Sequence, residues 1–386
     1  MRHQPTVFEQ IVQHIPWGRF DRLVGKHGGD DAERGFSSRK HFLALLGGTL
    51  GGHHGLRQNV AALAPNDGAL RLLGGGAAAR STLADATRKR PAALFVEFLH
   101  ELIALIPARA ARRDLKQAVR LIDATHIDLG LRMRRWAGMY RDQAAVKLHV
   151  VYDPCAQRPV FFDLTPARIN DITAAKQLLP IEPGATYVFD LGYYDFGWFA
   201  KLAAADCVFV TRLKCYTSLR DTAEREVTAG GVVLSDRLGF LPKRLAFSRR
   251  NPFSQTGREV VIRIKTGKVL HLFTNDLTSP AEVIADLYKE RWQIELFFKW
   301  IKQNLKISRF VGTSENAVRT QIAVAFIGYL LIRLTQLQQQ VERPAAIVLL
   351  VIRCHLFVRR PITHLIDPPP RAMPPPTPQL SLFPRK

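Results

Sequence analysis

The chain has 386 residues, of which 47% are hydrophobic, and 55 Lys and Arg against 33 Asp and Glu give a formal net charge of +22. This length and apolar content predict a globular protein of two or three domains and exclude a mainly disordered chain. The cationic surplus is spread along the sequence and predicts a polyanionic partner, either nucleic acid or an acidic membrane surface.

Neither an export signal nor a membrane span is indicated by the sequence. Residues 1–15 mix charged residues into their apolar positions, which predicts a cytosolic protein. The longest apolar runs, residues 323–332 and 345–352, are too short to cross a bilayer, so we expect buried helices there. The four cysteines lack a paired C-x-x-C spacing, which argues against a structural zinc site and a disulfide scaffold.

The first part of the chain, residues 7–63, has a helical apolar pattern. The serines at 37–38 are suited to cap a helix through residues 40–46, and glycines follow that permit close helix packing or backbone contact with a ligand. His53 and His54 are neighbours in sequence and have no other ligand type at suitable spacing. Packing or DNA contact is therefore favoured over a metal site.

A second helical stretch, residues 77–90, begins with small residues and ends with a basic cluster. Ser81 and Thr82 are expected to cap a helix that continues past Pro91. The cationic edge is suited to DNA contact and is equally compatible with a solvated helix face.

The pattern then changes from helical to strand-like. Residues 119–129 form a β-rich run with Asp123 in its middle, and residues 147–153 and 159–166 are further predicted strands. Residues 171–179 are predicted to be a helix. Three strands followed by a helix indicate the beginning of a mixed sheet.

A further strand is predicted to end at Asp190, followed by a turn at Gly192 and a helix that begins near Asp195. Residues 207–214 are predicted to be the next strand of the sheet. A carboxylate at the carboxyl end of a strand lies where open sheets carry their ligand sites.

Residues 215–276 are predicted to be a β-rich insertion, with turns at Gly230, Pro252 and Gly267. Residues 212–268 hold 13 basic and 5 acidic side chains with phenylalanines among them, which suits phosphate contact and occasional base stacking. A soluble β-appendage with core phenylalanines is the alternative.

The segment at residues 279–305 is predicted to be one long helix. Ser279 and Glu282 form a capping-box pattern, with Pro280 at the first helical position. On a regular helix, one polar stripe within a roughly 60° arc contains Tyr288, Arg291, Glu295 and Lys302. Ordinary ion pairs on an amphipathic helix are the alternative interpretation of this stripe.

Asp123, Asp190 and Glu295 are the carboxylates expected to converge, two from one sheet and one from the helix beside it. Such a triad suits two hard divalent cations that activate an attacking oxygen and stabilise a departing one in phosphoryl transfer. Water as the nucleophile cleaves a strand, and a DNA 3′-hydroxyl joins strands. Other nearby acids compete for this role: Asp128, Asp153, Asp163 and Asp195.

At this point the chain resembles bacterial insertion-sequence transposases of the DDE class, specifically the insertion-sequence-four family with its Y-x2-R-x3-E-x6-K signature. The four residues of the polar stripe fit that signature at every spacing. Asp123 in LIDATHIDL matches the first acid of the family, and Asp190 in VFDLGYYDF matches the second. The similarity covers most of the chain.

The resemblance implies an α/β fold in which a ribonuclease H-like catalytic core carries a β-rich insertion, preceded by a helical DNA-binding region and followed by C-terminal helices. The expected divisions are a DNA-binding region at 1–115, the first part of the core at 116–214, the insertion at 215–276, the catalytic helix at 277–310, C-terminal helices at 311–366 and a Pro-rich disordered tail at 367–386. That tail and the short final helix do not match the family pattern.

The resemblance also implies Mg²⁺ or Mn²⁺, two ions, held by Asp123, Asp190 and Glu295, with DNA phosphates contacted by Tyr288, Arg291 and Lys302. The implied partners are the inverted repeats of the element and a target DNA, bound by a homodimer. The expected location is the bacterial cytoplasm beside the nucleoid, without a membrane. The alternatives are an idle end-binding relic or regulator and a nuclease of the same fold that lacks strand transfer.

Overall fold

The protein is seen in a computed structural model, which describes residues 4–31, 35–53, 55–106, 117–227, 230–243, 250–305, 307 and 310–367. The strands are β1 Val119–Leu129, β2 Met139–Tyr140, β3 Gln143–Asp153, β4 Arg158–Pro166, β5 Thr186–Val188, β6 Val208–Arg212, β7 Arg220–Glu224, β8 Val233–Phe240, β9 Thr256–Arg263 and β10 Val269–Thr274. The α-helices are α1 Val7–Val12, α2 Trp17–Lys26, α3 Ser38–Gly51, α4 Leu56–Leu63, α5 Asp67–Leu72, α6 Arg80–Lys89, α7 Ala92–Ile103, α8 Arg134–Ala137, α9 Asp171–Leu178, α10 Phe196–Ala204, α11 Ala281–Glu290, α12 Trp292–Trp300, α13 Glu315–Gln338, α14 Ala345–His355 and α15 Ile362–Ile366. His54 and, apart from Asp367, the predicted tail lie outside the described residues.

One large mixed sheet forms the centre of the fold, as the strand pattern predicts. Its order is β2-β3-β1-β5-β6-β10-β9-β8-β7, with β4 paired to β3. Strands β1, β5 and β6 run parallel to each other, whereas β3 and β10 pair with this group in the antiparallel sense. The predicted mixed α/β class, with helices before and after the sheet, is therefore confirmed.

Each face of the sheet is covered by a separate apolar core. Leu121 and Ile127 of β1 belong to the larger core, which includes α12, α13 and the N-terminal helices. Ile122 points to the smaller core beneath α9 and α10. Because successive strand residues alternate between faces, Asp123 lies on the face of Leu121, towards α12.

The four strands β7 to β10 continue the central sheet, since β10 pairs with β6. Gly230 and Gly267 have φ values of +77° and +84°. The two predicted turns that contain these glycines therefore use the left-handed conformation that glycine adopts readily. The β-rich character of residues 215–276 is confirmed for the described residues. Where an inserted domain begins and ends within this continuous sheet stays a prediction.

The N-terminal helices and the C-terminal helix α13 share one core. The predicted cap of α3 is confirmed, because Ser37 accepts the Lys40 N–H at 3.3 Å. The expected continuous helix through Pro91 is wrong: α6 begins after Ala79 without a side-chain cap and ends before Arg90, which has an extended ψ of 133°. Proline disfavours helical backbone at the residue before it, so α7 starts anew.

Helix α13 incorporates the apolar run 323–332 within a helix of 24 residues. Among the described residues, it is the one helix long and apolar enough to cross a membrane, and 83% of its most apolar window is buried inside the protein. Val348, Leu349 and Ile352 of α14 are also fully buried. Both apolar runs thus form the buried helices that the sequence predicts.

Asn316, in the first turn of α13, connects that helix to the turn between α6 and α7. Its Oδ1 accepts the Ala92 N–H at 2.8 Å, and its Nδ2 donates to the carbonyls of Arg90 at 2.7 Å and Thr87 at 3.2 Å. Asn316→Ala is expected to lower the free energy of unfolding by about 1–3 kcal/mol, because half-buried backbone groups lose their partners. Urea denaturation measures the change.

The matched control is Asn66→Ala, because among the described residues its side chain makes one local hydrogen bond, from Nδ2 to the Ala62 carbonyl at 3.1 Å. We expect this variant to lose about 0.5–1 kcal/mol. Equal losses in the two variants would show that Asn316 is no more than a local cap.

Candidate active site

Asp123 lies in the middle of β1 with 18% of its side chain exposed. Its Oδ1 accepts the Ala124 N–H at 2.8 Å. Burial, reinforced by the charges of Asp190 and Glu295, raises its pKa to about 7 against the opposing effects of the Ala124 N–H and Arg291. The carboxylate is therefore costly to keep ionised, and it lies near the two other acids that the sequence grouped with it.

Asp190 follows β5 by two residues and caps a short 3₁₀ turn. Its Oδ1 accepts the Gly192 N–H at 2.8 Å. In the parallel pair β1–β5, Leu121 is opposite Val188, so the positions two residues further along each strand are Asp123 and Asp190. Strand β5 ends at Val188, two residues before the predicted end at Asp190. The side-by-side placement of the two acids follows from the register of β1 and β5.

The segment 279–305 is not the single capped helix that the sequence predicts. Helix α11 begins after Pro280, whose ψ of 146° is extended, and it has no side-chain cap. Ser279 precedes that proline, and its N–H instead donates to the Asp276 carboxylate at 2.9 Å. The Arg291 N–H bonds to the Tyr288 carbonyl at 3.2 Å, which tightens the helix locally, and a π-helical turn follows α12.

Arg291 lies between two of the carboxylates. Its Nη2 is 2.6 Å from Glu295 Oε1, and its Nη1 is 3.9 Å from Asp123 Oδ2. Its guanidinium also lies 5.8 Å from the ring centre of Tyr288, which is 8% exposed and whose pKa is raised by burial. Arg291 thus acts as an internal counterion that links α12 to β1.

Lys302 contacts β1, not Glu295. Its Nζ donates to Thr125 Oγ1 at 2.7 Å and to the His126 carbonyl at 2.6 Å, and burial lowers its pKa. Lys302 is part of the π-helical turn Ile301–Leu305, which changes the helical phase after α12. Arg291 and Lys302 thus both face β1, and the expected common stripe of the four signature residues stays a prediction.

The competing acids have other partners or positions. Asp128 is exposed near the end of β1. The other three form ion pairs: Asp153 with Arg120 at 3.3 Å, Asp163 with Arg319 at 2.7 Å and Asp195 with Lys176 at 2.6 Å. Asp195 also accepts the Trp198 N–H at the start of α10. These contacts give the competitors structural roles.

Two polar residues near Asp190 were missed by sequence reasoning. A Cβ atom added at Gly192 would lie 3.0 Å from Asp190 Oδ1 and 3.2 Å from Asp171 Oδ2, so both carboxylates border the same small space. The Tyr193 hydroxyl is buried without a hydrogen-bond partner among the described residues. Burial raises the pKa of Tyr193, and the charges of Asp123, Asp171 and Asp190 raise it further. Asp171 begins a helix, and nothing in its local sequence distinguishes it from an ordinary first-turn acid.

The donor chemistry of this site fits a hard divalent cation, since Asp123 and Asp190 offer carboxylate oxygens and their ionised forms repel each other. The narrow space beside Gly192 and the unpaired Tyr193 hydroxyl are consistent with this fit. Among the described residues, however, no group of three or more Asp, Glu, His and Cys side chains is close enough to hold an ion as arranged. Glu295 Oε1 lies 2.6 Å from Arg291 Nη2 in this arrangement.

Comparisons with known proteins identify the family of the chain. Residues 114–331 match the family described as Transposase DDE domain, and residues 3–75 match a domain of unknown function. A protein named as transposase y4zB of Sinorhizobium fredii is 40% identical over 293 residues, covering 75% of this chain and 80% of its own length. A protein named as the transposase of element IS5377 in Geobacillus stearothermophilus is 31% identical, covering 68% and 69%.

A shorter match links the chain to a protein of Synechocystis named as the transposase of element IS4SA, with 47% identity over 53 residues, 14% of this chain and 16% of that protein. A piggyBac transposase in a synaptic complex with hairpin DNA has a TM-score of 0.44 at 8% identity, covering 93% of this chain and 79% of that one, a likeness too weak to bear on the assignment. The family match and the two relatives that cover most of the chain establish the family. The chain belongs to the DDE transposase family and is an insertion-sequence DNA transposase.

Proposed function

We propose that this transposase binds the terminal inverted repeats of its element, cleaves DNA strands there, and joins the freed 3′-hydroxyls to a target. The proposal is carried by the proximity of Asp190 and Glu295 to Asp123, whose pKa both acids raise, in a chain of net charge +22. These three carboxylates would hold Mg²⁺ or Mn²⁺, two ions. When bound, the ions supply Lewis-acid stabilisation of the attacking and departing oxygens.

The signature cations would position the DNA. The guanidinium of Arg291 contacts the Glu295 carboxylate in the free protein. A guanidinium can bind a phosphate with the same two-point geometry with which it binds a carboxylate. Arg291 would therefore release Glu295 as it binds a DNA phosphate. Lys302 donates two hydrogen bonds to β1 and retains a third N–H for phosphate. Tyr288 is largely buried, which supports contact through its hydroxyl only.

The other expectations remain part of this proposal. The helices within residues 1–115 would bind the element ends, and the basic segment 215–276 would hold DNA next to the carboxylates. A homodimer would bring two ends together, and the protein would act in the cytoplasm beside the nucleoid. The surplus of cationic side chains along the chain supports contact with DNA at more than one surface.

The test uses the full chain and a labelled duplex that contains the repeats flanking its coding region, with a supercoiled plasmid as target. We expect nicking at the repeat end and joined product in about 5 mM Mg²⁺. Neither product is expected in EDTA. Asp123→Ala and Glu295→Ala should abolish both. Binding without metal-dependent nicking would favour the idle relic, and nicking without joined product would favour the nuclease.

A further inference from the structure

A short segment between β1 and β3 carries a dense positive charge. We name residues 130–142 the arginine segment. Its four arginines are all exposed, and among the described residues none of them forms an ion pair: Arg132, Arg134, Arg135 and Arg141. The one acidic residue in the segment is Asp142. Four unpaired cations against one acid form a surface suited to a polyanion.

The arginine segment is held in place by the protein. Met133 is buried in the larger core, and Trp136 Nε1 donates to the Thr313 carbonyl at 2.9 Å. Strands β2 and β3 form a hairpin whose two turn residues, Arg141 and Asp142, have φ values of +47° and +63°. Such a tight turn fixes the strand ends. The arginines thus extend from an ordered frame, which lowers the entropy cost of binding.

The segment is continuous with the candidate active site. Strand β1 carries Asp123 and then enters the arginine segment. Lys302 lies between Asp123 and the arginine segment and donates to Thr125 Oγ1 and to the His126 carbonyl. The His126 ring stacks on Tyr140 with ring centres 5.0 Å apart and an interplanar angle of 18°. A row of cationic and aromatic groups therefore extends from the carboxylates to the exposed arginines.

We propose that the arginine segment binds the phosphate backbone of the element-end duplex, beyond the phosphates that Lys302 contacts. This inference rests on the proposed role of Lys302 in holding the element end. Continuity with Lys302 favours the element end over the target. The other basic part of the chain, residues 215–276, contributes strands β7 to β10 at the opposite end of the sheet order, where it would be available to a second DNA.

The test is fluorescence anisotropy of a terminal-repeat duplex in EDTA, titrated at salt concentrations between 50 and 200 mM, a range of the order used to resolve counterion release. Arg134→Ala/Arg135→Ala should weaken binding by about 10- to 100-fold near 0.1 M salt and reduce the slope of log K against log salt by about 2. Arg134→Lys/Arg135→Lys should retain the wild-type slope. Circular dichroism melting shows whether each variant is folded.

The matched control is Arg359→Ala/Arg360→Ala, which removes the same charge from an exposed turn before α15 that forms no ion pair with the described residues. Its slope should equal that of the wild type. Equal slopes in wild type and Arg134→Ala/Arg135→Ala, or equal losses in both alanine pairs, overturn the inference. Failure of the wild type itself to prefer the repeat duplex refutes the proposed function instead.

Discussion

Asp190→Asn is expected to slow metal-dependent strand cleavage by about 10³-fold or more, corresponding to about 4 kcal/mol in the activation free energy. The substitution keeps the size of the side chain and its acceptor for the Gly192 N–H, which is 2.8 Å away in the wild type. It removes the negative charge that lies beside Asp123. Binding of the repeat duplex in EDTA should stay within the wild-type range, because that affinity comes from phosphate contacts to cations.

Single-turnover cleavage of the repeat duplex measures the rate, and Asp163→Asn is the matched control. Asp163 forms an ion pair with Arg319 at 2.7 Å and has no place in the carboxylate group, so cleavage by this variant should be near that of the wild type. Asp171→Asn separates two interpretations of the acid next to Asp190. A loss as large as that of Asp190→Asn would place Asp171 among the ion-holding residues, whereas wild-type cleavage by Asp190→Asn would refute the triad.

The wild type is expected to lose stability between pH 5 and pH 8, and Asp123→Asn is expected to remove this pH dependence. The pKa of Asp123 is raised from 3.8 to about 7 by burial first, and then by Asp190 and Glu295. A carboxyl with a raised pKa in the folded state stabilises the fold below the unfolded pKa, and that stability is lost as pH rises to the folded pKa. Relative to Asp123→Asn, the wild type should lose about 3 kcal/mol over this range.

Urea denaturation of both proteins in EDTA at pH 5, 6, 7 and 8 (points chosen around the pKa of about 7) measures the difference. Wild type and variant share every other titrating group, so the difference reports Asp123 together with its coupling to Asp190 and Glu295. At pH 8, replacing EDTA with Mg²⁺ should stabilise the wild type, because a cation balances the charges of the neighbouring carboxylates. The same change should have little effect on Asp123→Asn. A difference that stays constant with pH would show that the Asp123 carboxyl is not strained by its surroundings.

Much of the fold could be predicted from local sequence. Strand β1 occupies the predicted residues 119–129, and the strand and helix that flank Asp190 occur where turn residues and apolar periodicity indicate them. These features depend on side chains close together in sequence. The spacing of the signature residues likewise needs no structure, and it was sufficient to indicate the family.

The predictions that failed depend on backbone events with weak local signals. The backbone of Pro280 is extended, so α11 begins one residue late and Ser279 does not cap it, and a π-helical turn, Ile301–Leu305, follows α12. Both interrupt the single regular helix that the residue types of this segment predict. Helical periodicity assumes a regular helix, so it is blind to such irregularities.

By itself, the sequence determined the elements, the cationic charge and the residues that are candidates for the site. The tertiary structure decided which of them meet: the register of β1 and β5 aligns Asp123 with Asp190, and Arg291 joins Glu295 to Asp123. It also placed Asp171 beside Asp190, and it assigned most of the competing acids to ion pairs. The physical reason is that burial and charge pairing depend on residues distant in sequence, and only packing of the sheet against α12 brings those residues together.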